Sequence, residues 1–168
     1  MTVGADKIRT LCELGAIVRQ RRAMGERVVF TNGCFDLLHR GHTRLLQQAR
    51  ALGDLLIVGL NSDASVRLLK GPLRPVLSQD ERAELLSALA SVDYVVIFEE
   101  PDPSRIIAAL EPDLLVKGAD LAKEEVVGRE TVERRGGRVV TIPLVEGSST
   151  SSIMRRIMEM APPQHAES

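Results

Sequence analysis

The sequence is poor in the side chains that stack on nucleic-acid bases: aromatics are 2% of its 168 residues and tryptophan is absent. That argues against the aromatic platforms on which single strands are held. It also lacks a surplus of positive charge. Lysine and arginine number 22 against 23 aspartate and glutamate, a formal net charge of −1, so no overall field favours a polynucleotide or an anionic membrane. No apolar run approaches the roughly 18 residues of a membrane helix. The opening MTVGADKIRT lacks the basic-then-apolar pattern of a secretory signal. A cytoplasmic protein with neither nucleic-acid nor membrane partner is expected. The two cysteines, Cys12 and Cys34, form no C-x-x-C pair, so neither a disulfide framework nor a zinc knuckle follows from them. Neither G-x-x-x-x-G-K-[ST] nor G-x-G-x-x-G occurs, which sets aside P-loop phosphotransferases and the usual dinucleotide oxidoreductases.

What is present is regular. Hydrophobic residues make up 44% of the chain, enough at this length for one core. Apolar positions Ile8, Leu11, Leu14, Ile17 and Val18 predict an amphipathic helix from Lys7 to Met24. Five short apolar runs then read as strands: RVVFTNG, DLLIVGLNSD, DYVVIF, DLLVKG and RVVTIPL. Between them lie helical stretches at Gly41–Leu52, DASVRLL, QDERAELLSALASV, Pro103–Leu110, Lys123–Arg135 and Ser151–Met160. The third of these is announced by Ser78 and Glu81, a capping box. Lys70 to Leu77, with Gly71, Pro72 and Pro75, breaks every period and is expected to be a surface loop. Nearly all-apolar strands alternating with helices predict a doubly wound, Rossmann-like α/β fold of about five parallel strands with helices on both faces. One domain over residues 1–160 is expected, followed by a disordered tail at 161–168.

In such sheets ligands bind beyond the carboxyl ends of the strands, and the polar residues with chemical capacity gather there. Asn32, Gly33, Asp36, His39 and His42 follow the first strand; Asn61 and Asp63 the second; Lys117, Gly118 and Asp120 the fourth; Glu146 to Thr150 the fifth. Residues before the strands, such as Glu26, Arg27, Asp54 and Asp93, read as solubilising caps. His39-x-Gly41-His42 at a helix start suits an anion, because first-turn amides are unsatisfied, the dipole is positive and glycine allows close approach. Two imidazoles add donors, each worth roughly 3–4 kcal/mol when aimed at growing transition-state charge. A metal pair would need a third ligand beyond nearby Asp36, and a partly buried histidine with a purely structural bond is the other alternative. Gly147, Ser149 and Thr150 before the last helix read as a second anion cradle or an ordinary N-cap. Lys70 and Arg74 could close on polyphosphate or be solvated cations. Asp120 could hold Mg²⁺ or a sugar hydroxyl, or cap a helix.

GCFDLLHRGH, Gly33 to His42, and EGSSTSSI, Glu146 to Ile153, resemble the two signature motifs of the H-x-G-H nucleotidyltransferases, which include cytidylyltransferases and pantetheine-phosphate adenylyltransferases. LKGPLRPV, ERAELLSALASVDYVVIFEE and PDLLVKGAD narrow the resemblance to the adenylyltransferase domain of ADP-heptose synthases, over about Arg27 to Met158. It implies transfer of AMP from ATP to D-glycero-D-manno-heptose 1-phosphate for lipopolysaccharide core heptose, with pyrophosphate released.

The same resemblance implies roles residue by residue. His39, His42 and Lys70 would act on the triphosphate. Gly33, Cys34, Phe35, Asp36, Gly41, Gly147, Ser149 and Thr150 would bind the nucleotide, and Asn61, Asp63, Arg74, Lys117, Gly118 and Asp120 would position substrate or metal. Mg²⁺ would arrive with ATP, with no dedicated protein cage. The kinase domain that bifunctional members carry ahead of this one is absent, so a free-standing form is expected, as a homodimer. Its N-terminal helix would pack on the sheet or at the dimer interface. Rival readings are a cytidylyltransferase acting on glycerol phosphate, a guanylyltransferase acting on the other heptose anomer, and a nucleotide-binding regulatory module.

Overall fold

Each of the five apolar runs becomes a strand in the computed structural model: β1 (Val28–Gly33), β2 (Leu55–Asn61), β3 (Tyr94–Phe98), β4 (Leu114–Gly118) and β5 (Arg138–Ile142). The structure describes residues 5–119 and 126–160. Asp120, the first part of the helix expected over Lys123–Arg135, and the tail at 161–168 lie outside them. All strand pairs are parallel, in the order β3-β2-β1-β4-β5. The chain therefore winds outward from β1 to β3 and returns on the other side of β1. Strand order reverses between β1 and β4, the crevice where such sheets receive ligands.

Every residue of β2 is buried, which is why that run had to be apolar throughout. Gly59 within it makes room for Phe30 of β1, whose ring would lie 2.7 Å from a Cβ there. One face is covered by α1 (Leu11–Ala23), α5 (Ser104–Leu110) and α6 (Arg129–Arg134), packed through Leu14, Val18, Ile106, Ile107, Leu110 and Val132. The opposite face carries α2 (Arg40–Arg50) and α4 (Gln79–Ser87), packed through Leu46, Ala49, Ala83 and Leu86. Two further helices, α3 (Asp63–Lys70) and α7 (Thr150–Met160), follow β2 and β5. No helix among the described residues is long and apolar enough to cross a membrane.

The structure corrects four expectations. The first helix begins at Leu11 rather than Lys7, because Thr10 and Glu13 form a capping box. The segment before it runs beside β3, with Ile8 bridged to Val95 and the Arg9 amide donating to the Val95 carbonyl at 2.9 Å. Lys7 donates from Nζ to the carbonyls of Leu89 (3.2 Å) and Val92 (2.7 Å), so α4 closes at Ser87 and does not run on to Val92. Gly128, at φ 89°, breaks the helix expected to reach Arg135 from Lys123, and α6 starts only at Arg129. The aspartates at the amino ends of the strands do more than solubilise. Asp54, Asp93 and Asp113 accept the amides of Arg27, Leu56 and Val28, each at 2.8 Å, tying each strand start to its neighbour. The N-terminal helix, left open between sheet and dimer interface, packs on the sheet face that carries α5.

Candidate active site

The route from β1 to α2 sets the site. Phe35, at φ 44°, turns the chain sharply after Gly33, and the next residues climb to an extended His39 at the start of α2. His39 is the N-cap: its Nδ1 accepts the Gly41 amide at 3.1 Å. A neutral imidazole that accepts at Nδ1 carries its proton on Nε2, so His39 keeps a donor for a ligand. His42 lies one turn on, its ring stacked on that of His39 with centroids 3.8 Å apart and planes 24° apart. The Phe35 ring backs it at 5.1 Å. A Cβ at Gly41 would stand 2.9 Å from the His39 ring, so glycine there is what lets the two rings and the first-turn amides share one small volume.

The stack sets the charge state. Burial, then repulsion from His39, pushes the pKa of His42 down to about 4, and burial also lowers that of His39. Both rings are neutral donors near pH 7. His42 Nδ1 is buried with no partner among the described residues, which leaves Nε2 as the nitrogen able to meet a ligand. A histidine in the unfolded chain takes its proton near 6.5, whereas folded His42 resists until about 4. Between those values the unfolded state binds more protons, so stability should fall as pH drops through this window, by about 3 kcal/mol in total. Urea midpoints at pH 7 and pH 4.5 measure it: wild type should lose more between the two than His42→Gln, and equal losses would remove His42 from the acid sensitivity.

The second cradle lies against the first. Gly147, at φ 70°, turns the chain into α7, where Ser149 Oγ accepts the Ser152 amide at 3.0 Å and Ser152 Oγ accepts the Ser149 amide at 3.1 Å. Ser149 is thus the N-cap of α7, and its hydroxyl proton stays available. The Thr150 hydroxyl donates to the Leu37 carbonyl at 3.5 Å, and Arg40 Nε donates to Ser148 Oγ at 2.9 Å. At the crevice, Lys117 from the end of β4 donates through Nζ to Asn32 Oδ1 at the end of β1. Gly118 follows Lys117 as the last residue of β4, partly exposed at the same rim. Lys70 ends α3, exposed, and is close enough to lower the Cys34 pKa, although burial outweighs it and pushes the thiol up. A thiol so disposed is a wall of the site rather than a nucleophile.

Four of the expected contact residues, Asp36, Arg74, Asn61 and Asp63, have partners inside the protein. Asp36 is 1% exposed and faces the loop after α3, accepting the amides of Val76 (2.8 Å) and Leu77 (3.1 Å) and Nε of Arg74 (2.6 Å). Arg74 is thereby turned onto Asp36. Asn61 is buried and donates to Ser65 Oγ at 2.8 Å. Asp63 pairs with Arg82 at 2.7 Å. These residues shape the rim and hold the loop beside it. Among the described residues no group of three His, Cys, Asp or Glu side chains could hold a metal.

Arg82 joins the site although it is not among the residues expected there. Its side chain is 0% exposed and reaches three segments of the rim: Nε donates to Leu77 O (3.0 Å), and Nη1 to Cys34 O (2.6 Å) and Asn61 O (2.9 Å). The signal was present in the sequence, because Arg82 stands one turn before Leu86 on the stripe of α4 that faces the sheet.

A family described as cytidylyltransferase-like matches residues 30–157. The bifunctional protein HldE of Pelobacter propionicus is 56% identical over 154 residues, which cover 92% of this chain and 32% of that protein. HldE of Geobacter sulfurreducens is 53% identical over 156 residues, 93% of this chain and 32% of that one. The chain thus spans about a third of the curated relatives it matches. Among solved structures, a lipopolysaccharide core biosynthesis protein from Thermoplasma volcanium is 28% identical with a TM-score of 0.60, covering 72% of this chain and 98% of its own. A pantoate-beta-alanine ligase from Francisella tularensis, 15% identical with a TM-score of 0.61 over 89% of this chain and 72% of its own, shares the fold.

Proposed function

The chain belongs to the cytidylyltransferase-like family, and on that premise we propose that it is a nucleotidyltransferase that moves AMP from ATP to D-glycero-D-manno-heptose 1-phosphate, forming ADP-heptose for lipopolysaccharide core biosynthesis in the cytoplasm. The observation that carries this reading is the stacked His39–His42 pair at the start of α2, with the Ser149–Thr150 turn linked to it. Two neutral imidazole donors and two helix starts on one rim suit a polyphosphate.

The chemistry asks little covalent work of the protein. A phosphate oxygen of the sugar 1-phosphate attacks the α-phosphorus of ATP; the new P–O bond forms as the bond to the bridging oxygen breaks, and pyrophosphate leaves. His39 and His42 donate to the oxygens on which charge grows, and those first-turn amides of α2 and α7 not already bonded to His39, Ser149 or Ser152 receive the remaining phosphates. Lys70 adds a cation from the loop side. Mg²⁺ bound to the triphosphate would neutralise further charge, held mainly by phosphate oxygens and water.

Pyrophosphate release in the presence of Mg²⁺ tests the reading. ATP, CTP and GTP would each be paired with β-heptose 1-phosphate, α-heptose 1-phosphate and glycerol 3-phosphate. Release with ATP and the β-sugar is the expected result; release confined to CTP or GTP would keep the site chemistry and replace the substrate assignment.

A further inference from the structure

We infer that Arg40, the second residue of the H-x-G-H stretch, is a positioning residue that holds the Glu146–Thr150 turn at the spacing needed for both helix starts to engage one triphosphate. The inference rests on the nucleotidyl-transfer reading above and adds to it a residue with no assigned role. Arg40 opens α2 and is exposed. Besides the Ser148 hydroxyl it reaches the Glu146 carbonyl, through Nη2 at 3.5 Å, so one guanidinium spans the turn. A Cβ at Gly41 would lie 3.4 Å from the Ser148 carbonyl, which shows how closely the two segments approach.

Packing explains why a polar link matters here. No residue of α7 is buried, and Ile157, Met158 and Met160 are exposed. The other long helices are pinned by apolar side chains: Leu14 and Val18 in α1, Leu46 and Ala49 in α2, Ala83 and Leu86 in α4. With only the half-buried Ile153 and Met154 as apolar contacts, the start of α7 also depends for its place on the hydrogen bonds it makes to residues 37 and 40. A planar guanidinium with five donors can hold two acceptors at fixed separation, which an ammonium cannot do equally well.

Steady-state kinetics and hydrogen exchange on Arg40→Ala, Arg40→Lys, Ser148→Ala and the double variant Arg40→Ala/Ser148→Ala test this, with exposed Arg44→Ala as a control for lost charge. Arg40→Ala should raise KM for ATP by about tenfold, the scale of one pairwise coupling, and leave KM for the sugar phosphate unchanged. Arg40→Lys should recover part of the loss, and the double variant should be no worse than Arg40→Ala alone, since both break one link. Amides of residues 148–153 should exchange faster in Arg40→Ala while those of β1 do not. Unchanged KM and unchanged exchange would overturn the inference, as would an equal effect from Arg44→Ala or strictly additive losses. If wild-type protein turns over none of the nucleotides and Arg40→Ala still loosens 148–153, the reaction assignment falls while the positioning link stands.

Discussion

Replacing His42 with alanine is expected to lower turnover at least about a hundredfold while the protein still folds, the loss seen when one donor to transition-state charge is removed. His42 caps no helix, its Nδ1 has no partner among the described residues, and its buried ring resists protonation until about pH 4. At pH 7 a neutral ring with an unmet nitrogen brings the folded state no hydrogen bond through that atom, so removing it there separates chemistry from folding. His39 is the less clean probe, because its Nδ1 also holds the Gly41 amide, and a lost N-cap costs about 1 kcal/mol of stability by itself. The measurement is kcat with both substrates saturating, beside a thermal melt. A His42→Ala enzyme with near-wild-type kcat would remove this ring from the mechanism; a large fall in kcat with little change in KM would place its contribution in the transition state.

The parts of this molecule that were legible in the sequence are those governed by local pattern. Unbroken apolar runs such as LLIVGLN announced buried parallel strands, and Ser78 with Glu81 announced α4, because both signals act within a few residues. Thr10 with Glu13 was the same signal, masked by the apolar Ile8 that extended the helical period backward and in fact belongs beside β3. The H-x-G-H and G-S-S-T stretches were legible as helix starts rich in glycine, histidine and hydroxyls, and His39 and Ser149 do cap α2 and α7. What could not be read was which polar residues turn inward. Asp36 finds its partners 38 to 41 residues away, and Arg82 finds one of its own 48 residues away. Such pairings depend on how loops cross the rim after the sheet has formed, and no local period records them. Charge at the strand ends reads in sequence as contact with a ligand, and the bonds that Asp36 and Arg82 make within the walls become visible only in the fold.

Arg82→Met should be the most destabilising single substitution in the rim, by about 3–5 kcal/mol, the cost of breaking a buried charged pair from one side. Methionine keeps much of the stem's volume, so the loss would report the guanidinium rather than a cavity. In the native structure its charge is taken out of water entirely and compensated by one carboxylate and three carbonyl oxygens, those of Cys34, Asn61 and Leu77. Removing it leaves those carbonyls without their donor and Asp63 without its partner, and each buried acceptor so stranded carries a desolvation cost. For a chain of this size the loss corresponds to a fall in melting temperature of roughly 10 °C. Activity should fall with it for a geometric reason: Cys34 precedes the turn that delivers His39 and His42, and Leu77 ends the loop that begins at Lys70. Arg82→Lys should fall between, since one ammonium cannot serve all four acceptors at once. A melting temperature within about 2 °C of wild type for Arg82→Met would mean that the rim is held by Asp36 and the strand ends alone, and that the buried guanidinium is compensated in the folded state without stabilising it.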